Sequence, residues 1–305
     1  MPFLPRPSYD WHLRSRTLAL GQRTIIMGIL NVTPDSFSDG GYFYSAENAP
    51  ERALAHAIRL LDEGAQILDI GGETTRPNAT PLTANEEQAR ILPVIEAILA
   101  HRPEVILSVD TYHAATAKRA VEAGVEIVND VSGFLWDTEM AATCAALRCG
   151  LVLMHTRGRP QEWRELPPLA PQAVVPMVLN DLAQRLDEAT SAGIARNRIV
   201  LDPGVGFGKL LDENYPLLSH FDELQELGLP LLLGASRKGF LAHTIASLHG
   251  QGPPAQEPPA VDARLHATIA ASVAAILNGA HIVRVHDVLA AAEAAAVADR
   301  ILSLL

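Results

Sequence analysis

Eight short apolar stretches of this chain each run into residues able to bind or react. They are Asn31, Asp69 followed by Glu73 and Arg76, Asp110, Asn129 with Asp130, His155, Asp202, Ser236 with Lys238, and Arg284 with His286. Asp110, Asn129 and Asp202 are acceptors placed straight after apolar runs, and buried acceptors need donors. A flat heterocycle carrying an amino group and ring N–H groups would supply them; so would neighbouring backbone. Ser236-Arg237-Lys238 and Arg284-Val285-His286-Asp287 gather cations at the last two of these ends, a pattern suited to a diphosphate. Arg237 and Asp287 are equally able to serve a structural ion pair.

Three loops complete the set. NVTPDSFSDGG, Asn31 to Gly41, combines two carboxylates, three hydroxyls and Phe37 with a terminal glycine pair, the make-up of a lid whose hinge is Gly40 and Gly41. DIGGETTRP, Asp69 to Pro77, puts Gly71 and Gly72 directly after an apolar run and follows them with hydroxyls and the fixed cation of Arg76. DPGVGFGK, Asp202 to Lys209, resembles a phosphate loop only superficially: Leu210 stands where the P-loop needs Ser or Thr. Its glycines suit a loop that brings Asp202 and Phe207 against a ring.

These residues need a scaffold that presents eight strand ends together. Strands are expected at Thr24–Leu30, Gln66–Ile70, Val105–Val109, Glu126–Val128, Leu151–Met154, Ile199–Leu201, Pro230–Gly234 and His281–Val285. Most are apolar without alternation, the mark of parallel strands covered on both faces. Helical stretches lie between them, at Glu47–Glu63, Asn85–Ala100, Ala114–Glu122, Pro171–Ala192, Glu213–Leu227 and Asp262–Asn278. Several stop at a glycine suited to a left-handed cap: Gly64, Gly124, Gly193, Gly228 and Gly279. The alternation points to an α/β fold, a (β/α)₈ TIM barrel, with a doubly wound open sheet as runner-up. In a parallel barrel all these ends share one rim, where active sites are built. Trp11–Gly21 has the alternation of a short N-terminal β-hairpin that plugs the opposite end, and Gly250–Pro259, rich in Gly and Pro, reads as a mobile loop.

The chain has 305 residues, about two domains at one per ~150 residues, but closed α/β barrels reach about 250 as a single domain. The expected division is an extension over 1–23 and one barrel over 24–305. With 24 Lys+Arg against 35 Asp+Glu the net charge is −11, which argues against nucleic acid or anionic membrane as a partner. A small anion needs only a local basic cluster. Met1–Tyr9 carries three prolines and no signal-peptide core, no apolar run reaches about 18 residues, and Cys144 and Cys149 lack metal-ligand spacing. A cytoplasmic protein with reduced thiols is expected.

NVTPDSFSDGG, DIGGETTRP, SVDT (Ser108–Thr111), NDVSG (Asn129–Gly133), LDPGVGFGK, GASRK and RVHDV, in that order from about Trp11 onward, resemble the dihydropteroate synthase family. The resemblance implies a (β/α)₈ barrel that condenses (7,8-dihydropterin-6-yl)methyl diphosphate with 4-aminobenzoate, releasing diphosphate, in folate biosynthesis. It further implies Mg²⁺ with the diphosphate, a homodimer, and a benzoate pocket that sulfonamide mimics target. By position, Asp110, Asn129, Asp202 and Lys238 match the residues that hold the pterin, with Met154 and Phe207 as apolar contacts. Asn31, Arg284 and His286 match those at the diphosphate and its Mg²⁺, Asn31 as metal ligand. Asp39, Phe37, Thr75 and Arg76 match residues that close over the site and help form the benzoate pocket.

The sequence departs from the family where a Ser usually follows the Ser-Arg-Lys lysine and contacts the benzoate; here the residue is Gly239. Thr156-Arg157-Gly158-Arg159-Pro160 is also more basic than the family pattern. A pterin-binding methyltransferase-type barrel is one alternative reading, but it would lack the two closing loops and the Arg-Val-His motif. A catalytically inactive pterin-binding protein is the other, and the intact loop residues argue against it.

Overall fold

The structure, a computed structural model, describes residues 3, 5–33, 49–73, 81–248 and 261–305. A two-stranded antiparallel hairpin, β1 (Tyr9–His12) and β2 (Thr17–Leu20), precedes eight parallel strands. These are β3 (Ile25–Asn31), β4 (Ile67–Gly71), β5 (Ile106–Asp110), β6 (Ile127–Asp130), β7 (Gly150–Met154), β8 (Ile199–Asp202), β9 (Leu232–Leu233) and β10 (Ile282–Val285). They pair in the order β8-β7-β6-β5-β4-β3-β10-β9. A parallel bridge between Leu201 and Leu231, with Leu201 N–H donating to Pro230 O at 2.9 Å, closes the ring, so the barrel prevails over the open sheet.

The helices are α1 (Ala49–Asp62), α2 (Ala84–His101), α3 (Ala114–Glu122), α4 (Met140–Leu147), α5 (Pro171–Ser191), α6 (Tyr215–Ser219), α7 (Gly239–Leu248), α8 (Leu265–Leu277) and α9 (Val288–Leu302). They cover the outer face of the strands, where Leu68, Leu107, Leu151 and Leu201 pack with Ile91, Ile95, Val178 and Leu182. The inward face carries a separate apolar layer: Met27, Ile67, Ile127, Val152, Val200, Leu232 and Ile282. Both faces being dry explains why the strands read as apolar runs.

The hairpin closes the bottom of that layer with Trp11, Leu13 and Leu20, and Trp11 Nε1 donates to Arg198 O at 2.8 Å. It sits so close that a Cβ on Gly150, at the start of β7, would lie 2.8 Å from Leu13 Cδ2 and 3.3 Å from Trp11 Cζ2. With its lower end sealed, the barrel opens at the C-terminal ends of its strands.

Three elements differ from the sequence reading. The expected strand Pro230–Gly234 shrinks to two residues: at its start Pro230 has no N–H to donate, and Leu231 N–H donates to His281 Nδ1 at 3.1 Å. The expected helix Glu213–Leu227 is one short helix, α6, between 3₁₀ turns at Leu211–Asn214 and Phe221–Leu227. Asn214 is diverted to the loop after β8: its Oδ1 accepts from Gly206 N–H at 2.6 Å and its Nδ2 donates to Lys209 O at 3.0 Å. Finally, α7 has no counterpart among the expected helices, since GFLAHTIASL is mostly apolar and its polar period is weak. The glycine caps hold: Gly64, Gly124, Gly193, Gly228 and Gly279 all have positive φ.

Candidate active site

Strand register brings the acceptors together. Asn31 on β3 pairs with Gly71 on β4, Gly71 with Asp110 on β5, and Asp110 with Asn129 on β6. Register partners in a parallel sheet point to the same face, so these residues ring one side of the mouth. Across it, Met154 on β7 pairs with Asp202 on β8. Gly71 keeps the mouth open: a Cβ there would lie 3.7 Å from Asp110 Oδ2 and 3.8 Å from Asn31 Oδ1.

Arg284, two residues above the inward-facing Ile282 on β10, reaches across the barrel. Its Nε donates to Asp69 Oδ2 and its Nη2 to Asp110 Oδ2. Asn129 Nδ2 also donates to Asp69 Oδ2, at 2.9 Å. Burial opposes the charge of Arg284, but Asp69 and Asp110 more than offset this and raise its pKa. Burial pushes the Asp110 carboxyl up to about 7 despite Arg284 beside it. Sequence reading placed Asp110 with a ring and Arg284 with an anion; the structure joins them in one ion pair.

The loop after β8 carries the apolar side. Asp202 Oδ1 accepts from Gly204 N–H at 2.7 Å, and burial pushes its carboxyl up to about 6. Lys209 is buried within the loop, its Nζ donating to Gly204 O (2.7 Å) and Phe207 O (3.2 Å). That clamp sets Phe207 edge-on to Trp163, ring centroids 5.3 Å apart, in a cluster with Val131 and Met154. Lys238 Nζ lies 4.0 Å from the Phe207 ring centroid, a cation–π arrangement. Burial and the nearby Arg284 lower the Lys238 pKa to about 8, against the pull of Asp202 and Asp110.

Lys238 is placed by a strained turn. Arg237 has a φ of 58°, which costs a non-glycine residue about 1 kcal/mol or more. Asp287 holds it with two bonds of 3.0 and 2.7 Å, so the ion-pair alternative for Arg237 and Asp287 is the one realised. Gly239 then opens α7, with nothing within 4 Å of where its Cβ would be.

His286 requires a correction. Its Nδ1 lies 2.9 Å from Ser236 Oγ, and burial beside Arg237 and Arg284 lowers its pKa to about 3. It therefore offers a neutral imidazole, not one of the cations that the sequence suggested. Asn31 ends β3 at the same rim, whereas Phe37, Asp39, Thr75 and Arg76 lie outside the described residues.

Sequence reasoning missed the aromatic wall. Tyr112 and Trp136 pack edge to face at 5.0 Å, and Arg159 stands over Trp136 at 5.7 Å. Tyr112 Oη donates to Glu73 Oε1 at 2.9 Å, tying this wall to the root of the second loop. The other basic residue of the unusual stretch, Arg157, bonds Gly208 O and Pro167 O at 3.0 Å each and so joins the loops after β7 and β8. The only sequence signal was that Trp136 and Trp163 follow strand ends in a chain with 5% aromatic residues. The rim thus combines buried carboxylates, an amide, two cations and an apolar wall: a pocket for a flat, donor-rich ring beside an anion.

The family model described as pterin binding enzyme matches residues 27–286. The dihydropteroate synthase of Escherichia coli (strain K12) is 41% identical over 280 residues, covering 91% of this chain and 92% of that protein. Among solved structures, the Yersinia pestis dihydropteroate synthase with a sulfonamide drug superimposes with a TM-score of 0.83 at 38% identity, over 97% of this chain and 100% of that one. The Xanthomonas albilineans enzyme in complex with 7,8-dihydropteroate does so with a TM-score of 0.78 at 38% identity, over 97% and 98%.

Proposed function

The chain belongs to the pterin-binding enzyme family, among the dihydropteroate synthases, transferases of folate biosynthesis, and on that premise we propose how its own residues divide the reaction. The substrates are (7,8-dihydropterin-6-yl)methyl diphosphate and 4-aminobenzoate; the products are 7,8-dihydropteroate and diphosphate. The observation that carries this reading is the meeting, on one rim, of a largely buried acceptor set with a partly buried guanidinium.

Asp110, Asn129 and Asp202 take the amino and ring N–H donors of the pterin, and Lys238 gives a donor to its acceptors. Met154 and Phe207 lie against its faces. The bond between the exocyclic methylene carbon and the diphosphate oxygen breaks, and the oxygen keeps the electron pair. Arg284 and the neutral imidazole of His286 donate to the departing oxygens while ionised Asp110 offsets the positive charge left on the pterin. The aryl amine then bonds to the carbon through its nitrogen lone pair and loses one proton to solvent. No side chain becomes covalently attached; the protein positions the reactants and stabilises charge.

Asn31 Oδ1 and Asp110 Oδ2 face the space above Gly71, and such hard oxygen donors suit Mg²⁺. Asn31 would hold the ion, which when bound with the diphosphate neutralises leaving-group charge. Phe37, Asp39, Thr75 and Arg76 are assigned to the benzoate side on the sequence resemblance. The homodimer is supported by an apolar cleft of about 1120 Å³ outside the barrel, lined by Val175, Tyr215, Leu241, Ala267, Ala271 and Ala274. A cytoplasmic location is supported by two free, buried cysteines; no helix among the described residues is long and apolar enough to cross a membrane. Sulfonamides would occupy the benzoate pocket.

Two predictions arise here. Gly239→Ser should fold, since the space is open and the backbone ordinary, and should lower the KM for 4-aminobenzoate about two- to tenfold, the worth of one hydrogen bond. Steady-state kinetics at saturating pterin substrate would show it. The second concerns pH and tests the pterin pocket itself. The Asp202 carboxyl accepts most strongly from the ring when ionised, a state present above its pKa of about 6 and lost as pH falls through it. Affinity for a bare pterin, measured by calorimetry, should be level only above the Asp110 pKa of about 7 and should fall as pH drops through it and then through that of Asp202, up to about tenfold per pH unit for each carboxyl. A curve flat to pH values well below the Asp202 pKa would remove Asp202 from the pocket.

A further inference from the structure

Asp69 stands beneath both halves of the site. It is completely buried on β4, two residues below Gly71 and on the same face. One oxygen, Oδ2, receives both Asn129 Nδ2 at 2.9 Å and Arg284 Nε. The other, Oδ1, bonds no described protein group, and neither does the hydroxyl of Ser108, its register partner on β5. The side-chain bonds that orient this carboxylate therefore come from the site above it.

This contact has consequences for each partner. An amide has a donor end and an acceptor end, and Asp69 engages the donor end of Asn129. The acceptor oxygen is then the atom left for a ligand; turning the amide over would set two oxygens against each other. Asp69 thereby selects a ligand edge that carries donors. For Arg284, the two bonds from Nε and Nη2 to carboxylates on adjacent strands fix the guanidinium plane. Nη1 makes no hydrogen bond to a described residue and remains for an incoming anion.

Building on the assignment of Asn129 to the pterin and Arg284 to the diphosphate, we propose that Asp69 is a positioning residue that fixes the polarity of Asn129 and the plane of Arg284 together. It ties ring recognition to leaving-group departure through one oxygen. Asp69 touches neither substrate.

The test uses the full chain with Asp69→Asn, nearly the same in shape but with one acceptor and one donor in place of two acceptors. Affinity for a bare pterin should fall about tenfold and kcat about ten- to a hundredfold, at a thermal midpoint within a few degrees of the parent. Double-mutant cycles separate positioning from general loosening. In the Asn129→Ala background, Asp69→Asn should cost no further pterin affinity; in the Arg284→Ala background, it should cost no further kcat. Losses that multiply in both backgrounds, or unchanged affinity and kcat, would overturn the proposal. Asp69→Ala is the second variant should the Asn protein not fold, with the same expectations. If Asn129→Ala and Arg284→Ala alone leave affinity and turnover at parent levels, the site assignment has failed and not the link.

Discussion

Arg284→Ala is expected to cut turnover by a factor of about 10²–10³ while bare-pterin affinity stays within about tenfold of the parent. The factor is that of removing a preorganised donor aimed at developing negative charge. Pterin binding is spared because Asp69 keeps its bond to Asn129 after Arg284 is gone. The expected change is confined to the half of the reaction in which diphosphate leaves. Stability should suffer as well: Asp69 and Asp110 lose a partly buried partner, and breaking a buried pair costs up to about 3–5 kcal/mol when the remaining charge is not neutralised. Asp110, with its carboxyl already pushed up to about 7, takes up a proton and softens that cost. A pterin analogue without diphosphate, titrated into the variant alongside a turnover assay, measures both quantities.

Asp202→Ala is expected to do the reverse. Asp202 is buried at the end of β8, steadied by the Gly204 N–H. Removing the carboxylate leaves ligand donors without their acceptor at a buried position, a loss of roughly 2–5 kcal/mol in bare-pterin binding. At 1.4 kcal/mol per tenfold that is at least about thirtyfold in Kd. Near-equal losses of bare-pterin affinity in Arg284→Ala and Asp202→Ala would contradict the division into a ring half and an anion half.

The contrast between these variants also shows which parts of the site were legible in the sequence. Asp202, Asp110 and Asn129 stood out because each ends an apolar run, and a parallel barrel sends every such end to one rim. The chain did not reveal who pairs with whom. Arg284 and Asp69 are 215 residues apart, and only the closed ring places them in contact. His286 looked cationic because composition carries no record of burial; beside two guanidiniums its imidazole is neutral. The helix α7 was invisible for a related reason, as GFLAHTIASL is mostly apolar and shows only a weak polar period. Asn214 looked like a helix residue, yet its amide serves the loop after β8.

The aromatic wall shows how the unusual basic stretch fits this site. Arg157 and Arg159 differ from the family pattern, but neither belongs to the set that holds pterin or diphosphate. One braces the loops after β7 and β8, the other covers Trp136. Gly239 is the departure that the sequence resemblance assigns to the benzoate side, and its open surroundings leave room for a side chain there.

The most direct test of the account follows both products at once. Purified protein is given Mg²⁺ and (7,8-dihydropterin-6-yl)methyl diphosphate, with and without 4-aminobenzoate, and diphosphate and 7,8-dihydropteroate are quantified over time. The account predicts that 4-aminobenzoate accelerates diphosphate release and that dihydropteroate accumulates in equal amount. Diphosphate release indifferent to 4-aminobenzoate, with no dihydropteroate formed, would contradict it.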